Sequence, residues 1–486
     1  MFNFQDMQWN IEQAITNLFE SWQNQKPDRI APLAPSGSNR KYFRIYYQDK
    51  TCIGAFNPDI RENNAFLTLS HHFEKLGLPV PEVFTRDADG LCYLVSDLGD
   101  TTLFSLLPHD PAVKTFNNQT MDLYRKALDW LPAFQVKGKQ DLDFSICYPR
   151  HAFDRHSMMW DLNYFKYYFL KISGIGFDEQ ELEDDFERFT KHLVSVPSEF
   201  FLYRDFQSRN IMIVEGEPYF IDYQGGRKGA LQYDVASLLF DAKANIPFEQ
   251  RQVLLDYYVE SLNKWVSFDQ ALFKKTFYDF VVMRILQALG SYGFRGGVEK
   301  KALFLQSVPY ALKNLRWLAE MDFLPKITPH LSSIIEKMAA TAPSDILPQP
   351  AKGLTLHIRS FSYKNGIPAD EWGNGGGFVF DCRALPNPGR EDKFKPYTGK
   401  DEPVIRFLKK EDSVADFLGN IRNITGNAVN NYLERGFNNL MINFGCTGGQ
   451  HRSVYCAEEL AKYLGEKYDV NIDLKHREAH NWPKSN

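Results

Sequence analysis

Six cysteines are scattered through 486 residues, with no CxxC pair and no zinc-finger spacing among them. A disulfide framework and a cysteine zinc site are thereby excluded as organising devices, and the usage is that of reduced thiols in a reducing compartment. Long hydrophobic runs are missing too. The longest apolar stretch, Phe280–Phe294, is interrupted by Arg284 and Gln287, short of the roughly 18 apolar residues of a spanning helix. The opening MFNFQDMQWNIEQ has no basic start ahead of an apolar core, so no signal peptide is expected. Nor is there an excess of charge. The net is −5, and Leu354–Asn486 holds 18 Lys and Arg against 17 Asp and Glu. That removes any global attraction to nucleic acid or anionic lipid. Repeats and low-complexity tracts are absent. The expectation is a cytoplasmic globular enzyme with neither a membrane nor a nucleic acid as partner.

What is present is a 44% hydrophobic, 24% charged chain, long enough for two to four units at roughly 100–200 residues each. Aromatics reach 15%, which favours large apolar clusters and ring-lined pockets. Ile11, Ile15, Leu18 and Trp22 recur at helical spacing. LAPSGSNRKYFRIYY reads as strand, small-residue turn, strand, followed by a strand near Thr51–Phe56 and a helix over Glu62–Leu76. LCYLVSDLGDTTL reads as a strand running into a turn. From Gln119 to Glu320 helical patterns dominate, broken by one strand–loop–strand insertion between Glu199 and Tyr223. A β-rich lobe over about 1–100 and a helical lobe over about 101–340 is the α+β layout of a two-lobed kinase. Thr341–Gly353, with three prolines after a predicted helix Leu331–Ala340, reads as a linker. Beyond it strand-like runs alternate with helical ones, predicting a compact α/β domain over 354–486.

The sharpest motif is LYRDFQSRNIMI, ending at Ile213, followed by YFIDYQ at Tyr219–Gln224. Phosphoryl transfer from ATP needs a carboxylate to orient the attacking hydroxyl, and oxygen ligands to hold magnesium. Asp205 and Asn210 have the five-residue spacing of a kinase catalytic loop, and Asp222 follows a strand-like run 17 residues after Asp205. Asp205 is the expected base, and Asn210 and Asp222 the expected Mg2+ ligands. RDFQSRNIMI and FIDYQGGRKGALQYDVASLLFDA resemble the aminoglycoside phosphotransferase and choline kinase superfamily. Within it the similarity is to anomeric kinases that phosphorylate N-acetylmuramate and N-acetylglucosamine at C1 in cell-wall recycling.

The resemblance covers about residues 10–325. It implies that Arg204 and Asp234 support the catalytic loop, a plain helix N-cap being the alternative for Asp234. The third strand, TCIGAFNPD, lacks a lysine for the nucleotide phosphates, so Arg40, Lys41 or Arg44 would supply that charge. The Ser36–Gly37–Ser38 turn would cover the phosphates with backbone N–H groups. Ser96, Asp97 and Leu98 match the segment that reads adenine, and Glu62 with Phe66 matches an E-x3-F pattern. The aromatic stretch Arg155–Leu170, with Trp160, is either core or a sugar-stacking wall.

NLMINFGCTGGQHRSVYCAEELAKYL is a strand, a glycine-rich loop and a helix. Backbone N–H groups at Gly448, Gly449 and the helix start, with His451, Arg452 and Ser453, form a sensible phosphate or sulfate cradle. Cys446 to Arg452 also has the Cys-x5-Arg spacing of thiolate phosphatases. Leu354 to about Glu478 resembles the RapZ C-terminal domain through RSFSYKNGIPAD, FDCRALPNPG, TGKD, GCTGGQHRSV and KHRE. Carried over residue by residue, that implies a phosphosugar or similar anion held by Ser360, Lys364, Asp381, Arg383, Thr447, Gly448, His451, Arg452, His476 and Arg477. Ser362 stands for Gly, Glu478 for Asp, and Trp372–Gly377 is inserted; RapZ's ATPase-like first domain has no Walker pattern to match here.

The sequence therefore predicts an ATP- and Mg2+-dependent kinase of an amino sugar with a phosphosugar-binding regulatory domain. The competing expectations are a kinase of another hydroxyl acceptor, a non-catalytic sensor or RNA adaptor, and a kinase–phosphatase using Cys446.

Overall fold

Alternation in KYFRIYY puts Phe43, Ile45 and Tyr47 on the buried side and leaves Arg44 on the other, as a half-buried strand requires. In the computed structural model, which describes residues 4–33, 40–107, 116–299, 302–346, 353–370, 376–434 and 437–483, this strand belongs to a five-stranded antiparallel sheet. Its strands are β1 (Arg29–Pro32), β2 (Lys41–Tyr47), β3 (Lys50–Phe56), β4 (Val83–Arg86) and β5 (Cys92–Ser96), in the order β1-β2-β3-β5-β4. Helix α1 (Phe4–Gln23) covers the sheet with Ile11, Ile15, Leu18 and Phe19. Helix α2 (Ile60–Lys75) is capped by Asp59, which accepts from the amides of Arg61 and Glu62.

The helical lobe contains α3 (Asn118–Pro132), α4 (Arg155–Phe165), α5 (Glu179–Val194), α6 (Gln232–Leu239), α7 (Phe248–Asn263), α8 (Gln270–Gly293), α9 (Val308–Glu320) and α10 (Pro329–Ala340). Between α5 and α6 run β6 (Phe200–Leu202), β7 (Ile211–Val214), β8 (Glu217–Phe220) and β9 (Arg227–Gly229). β6 pairs β9 and β7 pairs β8, both antiparallel. This is the expected two-lobed kinase-like arrangement. Helix α8 is buried over most of its length, and its Gly290 and Gly293 lie where a Cβ would strike the backbone around Phe165 and Tyr168.

Within the expected linker Pro343 starts a short helix, α11 (Pro343–Ile346), whose Ile346 is buried; proline is pre-set for a first helical turn, where no N–H partner is needed. Residues 347–352 lie outside the described ones.

The chain divides into two compact units, Met1–Phe294 with Gln306–Ile346, and Arg295–Leu305 with Leu347–Asn486. In the second, β10 (Thr355–Ser362), β11 (Phe378–Asp381), β12 (Asn439–Cys446) and β13 (Asn471–His476) form a parallel sheet in the order β11-β12-β10-β13. The central β10 and β12 are buried on both faces, as parallel strands between helices are. The helices are α12 (Glu402–Lys409), α13 (Asp412–Glu434) and α14 (Arg452–Lys467). Among the described residues no helix is long and apolar enough to cross a membrane.

Candidate active site

The turn after β6 is held from below by one buried carboxylate. Asp234 lies in the first turn of α6 but does not cap it. It accepts instead from the amides of Tyr203 (2.8 Å) and Arg204 (3.0 Å), and from Gln135 Nε2 (3.3 Å). Burial pushes its pKa up to about 7, against the pull of those donors. Arg204 adopts φ +81°, a conformation that an L-residue holds only when its surroundings impose it. Its guanidinium donates to Asp161 Oδ1 (2.8 Å) and Tyr233 Oη (2.7 Å). Asp234 thus reaches the turn from 31 and 30 residues further along the chain.

Asp205 follows with its side chain 41% exposed, the Arg284 Nη2 lying 3.7 Å from its Oδ1. Asn210 Nδ2 donates to the Asp205 carbonyl (2.9 Å) and to Asp222 Oδ2 (3.2 Å), while Gln224 Nε2 donates to Asp222 Oδ1 (2.6 Å). Asp222 adopts φ +69°. Burial, and then the nearby Asp205, push its pKa up to about 6. A carboxylate that is buried, satisfied only by neutral amides and raised by its neighbours suits a cation. Asn210 and Asp222 offer oxygen ligands of the kind that fit a magnesium ion completing its shell from outside the protein. Among the described residues, no group of three or more His, Cys, Asp or Glu is placed to hold a metal by protein ligands alone.

Of the expected phosphate ligands, Arg40 is buried just ahead of β2. Its Nη2 is 3.3 Å from Glu62 Oε1, and its charge reaches Asp222. Burial pulls its pKa down, but Tyr93, Tyr42 and Glu62 more than offset this and hold it charged. Arg44 points elsewhere. It donates to both oxygens of Asp97 (2.6 and 3.1 Å) and both of Asp100 (2.8 and 2.9 Å). It therefore clamps the segment between the lobes. Ser96 closes β5 and exchanges bonds with Glu82 (2.9 and 3.0 Å), and Asp97 also accepts from Gly99; Leu98 lies in the same connector. Ser36, Gly37 and Ser38 lie outside the described residues. In the 155–170 stretch Met158, Leu162, Phe165, Phe169 and Leu170 are core, and Trp160 and Tyr167 are exposed. Sequence reading missed Arg227 and the role of Arg284; the signal for the latter was a charge inside an otherwise apolar helix.

In the second unit the β12–α14 loop opens on a pocket of about 390 Å³ lined by Cys446, Thr447, Gly448, Gln450, His451 and Arg452, with Asn387, Gly389 and Lys395. The last three and Gln450 were not foreseen, although FDCRALPNPG contains two of them. The pocket lies at the carboxyl end of a parallel strand, where α/β sheets bind ligands. Gly449 has φ +64°, and a Cβ there would sit 2.4 Å from Glu478 Cγ. Cys446 Sγ accepts from Gly449 N (3.2 Å) and lies 3.1 Å from Ser453 Oγ. Arg452 Nη1 donates to the carbonyls of Arg383 (2.8 Å) and Leu385 (3.0 Å). Burial lowers the pKa of His451, which is bonded to the Phe394 carbonyl (3.1 Å).

Other carried-over residues do not line this pocket. Ser360 Oγ meets His476 Nδ1 (2.8 Å), and His476 Nε2 meets Glu458 (3.0 Å). Arg383 pairs with Asp381 (2.6 Å) and stacks on Tyr363 (4.0 Å). Arg477 donates to the carbonyls of Gly366 (3.0 Å) and Asn365. Lys364 donates its amide to Ser362 Oγ (3.3 Å) and has an exposed side chain.

Residues 29–269 match the phosphotransferase enzyme family, and residues 354–480 match the RapZ C-terminal domain. Similar curated proteins align with the second unit. A nucleotide-binding protein of Acidobacterium capsulatum is 41% identical over 128 residues, 26% of this chain and 40% of that protein. One of Dechloromonas aromatica is 44% identical over 129 residues, 26% of this chain and 43% of that protein. The chain thus spans about two fifths of these relatives' length. Among solved structures, ADP-bound aminoglycoside phosphotransferase APH(2'')-Ib aligns at a TM-score of 0.44 and 11% identity, covering 70% of this chain and 99% of that one. Choline kinase LicA from Streptococcus pneumoniae aligns at 0.42 and 14%, covering 63% and 99%.

Proposed function

We propose that this chain is an ATP- and Mg2+-dependent phosphotransferase acting on a hydroxyl of a small molecule, specifically the C1 hydroxyl of an amino sugar of the N-acetylmuramate or N-acetylglucosamine type in cell-wall sugar recycling. The observation that carries the reading is the single hydrogen-bonded knot of Asp205, Asn210 and Asp222, inside the stretch that matches the phosphotransferase family. Asp205, partly exposed, orients the acceptor hydroxyl and takes its proton. A hemiacetal hydroxyl is more acidic than an ordinary alcohol, so a modest base suffices. Asn210 and Asp222 hold Mg2+, which when bound neutralises charge on the phosphate oxygens. Arg40, braced by Glu62 beside Asp222, supplies the phosphate-facing cation that the third strand lacks. The Ser96–Leu98 backbone reads adenine. The C-terminal domain, residues 354–486, binds a phosphosugar or similar anion at the β12–α14 loop and regulates the kinase.

The test is ATP turnover with magnesium against N-acetylmuramate, N-acetylglucosamine, glucosamine, choline and kanamycin, with phosphorus NMR of the product and Asp205→Asn as control. A sugar 1-phosphate that vanishes in the variant and on chelation of magnesium is expected. Turnover of kanamycin or choline in preference to the sugars would move the reading to another acceptor. Absence of any turnover would refute it. A chain ending near Ala340 with the same rate and the same response to sugar phosphates would remove the regulatory role.

A further inference from the structure

A loop that holds an anion through its backbone must turn its carbonyl oxygens away, since each would repel the ligand that the amides attract. Three carbonyls of the β12–α14 loop are tied down from outside it. Ser362 Oγ donates to the Thr447 carbonyl (2.7 Å), Trp482 Nε1 to that of Gly449 (3.2 Å), and the Gly399 amide to that of Gln450 (2.8 Å). The donors come from β10, from the stretch after β13 and from the turn ahead of α12. Of the loop amides, that of Gly449 is used on Cys446 Sγ. Those of Gly448 and Gln450 have no acceptor among the described residues, and both residues line the pocket. Arg452, 5% exposed, lines it too, and its Nε has no partner among the described residues. A buried N–H left unpaired is costly and calls for a partner from outside the chain.

The ties are themselves braced by one buried side chain. Glu478, 3% exposed, accepts from the Ser362 amide at Oε1 (3.3 Å) and from Asn365 Nδ2 at Oε2 (2.8 Å), with Arg477 Nε 3.5 Å from Oε1. Its carboxylate is therefore engaged by Ser362, Asn365 and Arg477, while its Cγ fills the space where a Cβ of Gly449 would stand. The short turn Ala479–Asn481 then delivers Trp482, whose ring lies 5.3 Å from that of His476. Ser362 and Glu478 are two of the positions at which the chain departs from the RapZ pattern, Ser standing for Gly and Glu for Asp. In the folded chain the two departures meet in one hydrogen bond.

We propose that Ser362, Glu478 and Trp482 are positioning residues of the anion site: they hold the glycine loop with its carbonyls outward and so present the amides of Gly448 and Gln450 to a phosphate or sulfate group. None of the three need touch the anion. This rests on the reading of the β12–α14 loop as an anion site.

The experiment measures binding of sulfate and of glucosamine 6-phosphate to the full chain by calorimetry, with hydrogen–deuterium exchange of the loop amides in the presence and absence of sulfate. The wild type is expected to bind both, with slowed exchange in the loop. Trp482→Phe keeps a ring and removes the N–H. It should weaken both ligands by the same factor, about three- to tenfold, the scale of one hydrogen bond, and lose part of the protection by sulfate. Ser362→Ala should do the same through Thr447. Glu478→Gln, which keeps the shape and an acceptor for the Ser362 amide, should stay within about twofold, and Glu478→Ala should lose at least as much as Trp482→Phe. A Glu478→Ala chain that fails to fold does not decide the matter, because the Phe and Gln variants remain. Wild-type affinity in both Trp482→Phe and Ser362→Ala, or a loss confined to the sugar phosphate, would overturn the proposal while leaving the anion site standing. If the wild type binds neither ligand, the anion-site reading fails and this proposal falls with it.

Discussion

Replacing Asp234 by asparagine exchanges a titratable acceptor for a neutral group of the same shape, and its consequence for stability depends on pH while its consequence for activity does not. The carboxyl is fully buried, with its pKa raised by burial from 3.8 to about 7. A carboxyl raised on folding binds more protons in the folded state, so its contribution is complete below about pH 4 and is lost as pH climbs through about 7. At about 1.4 kcal/mol per pH unit, that is up to ~4 kcal/mol across the window. The amide has no such loss. It keeps one acceptor oxygen, so one of the Tyr203 and Arg204 amides is left unpaired, a cost of ~1–3 kcal/mol at every pH. Urea unfolding followed by tryptophan fluorescence should therefore show Asp234→Asn less stable than the wild type near pH 5, with the gap closing or reversing by about pH 8.5. Over the same range kcat should be down at least tenfold, because the catalytic turn has lost one of its two tethers, and about 1.4 kcal/mol suffices for that. A stability gap that stays constant with pH, or an unchanged kcat, would refute the account of Asp234 as a buried tether.

Arg44→Ala should remove ~3–5 kcal/mol, the cost of stranding the buried Asp97, and raise the KM for ATP more than it lowers kcat; a melting temperature within a degree of wild type would contradict this. Gly449→Ala places a Cβ against Glu478 at φ +64°, so ~1–3 kcal/mol of strain should weaken sulfate or glucosamine 6-phosphate binding about tenfold by calorimetry, and equal affinity would show that the loop does not form the site. Cys446→Ser keeps an acceptor for the Gly449 amide and should bind the same anions within about threefold; a phosphatase activity present in the wild type and lost in the variant would restore thiolate chemistry despite the diversion of Arg452.

The D-x4-N spacing and the second aspartate were legible in the sequence because one short loop and the strand pair after it bring them together locally. So were the sheet and the long helices, whose periodicity is set by one buried face. Asp234 was not resolved between an N-cap and a loop tether, since the deciding partners are Tyr203 and Arg204, some 30 positions earlier. Arg44 was read as a phosphate ligand because its charge is visible in sequence and its two carboxylates, more than 50 positions away, are not. Arg284 and Gln287 interrupt an apolar run in the sequence; folded, they bond to each other, and Arg284 lies beside Asp205. Arg452 lines the pocket, and the bonds of its Nη1 to two backbone carbonyls nearly 70 positions earlier are invisible in the motif.

The connector after β5 has a mechanical consequence. Beyond it, Ile213 N donates to Thr101 O and Leu103 N to Ile211 O, both at 2.8 Å, so the chain from Thr101 onward is stitched to the strand that leaves the catalytic loop. On the near side Ser96 is still locked into the sheet. Along this path, rocking of the sheet over the helical lobe must be taken up between Asp97 and Asp100, the stretch Arg44 bolts down at both ends. Gly99, at φ +78°, is its one natural swivel.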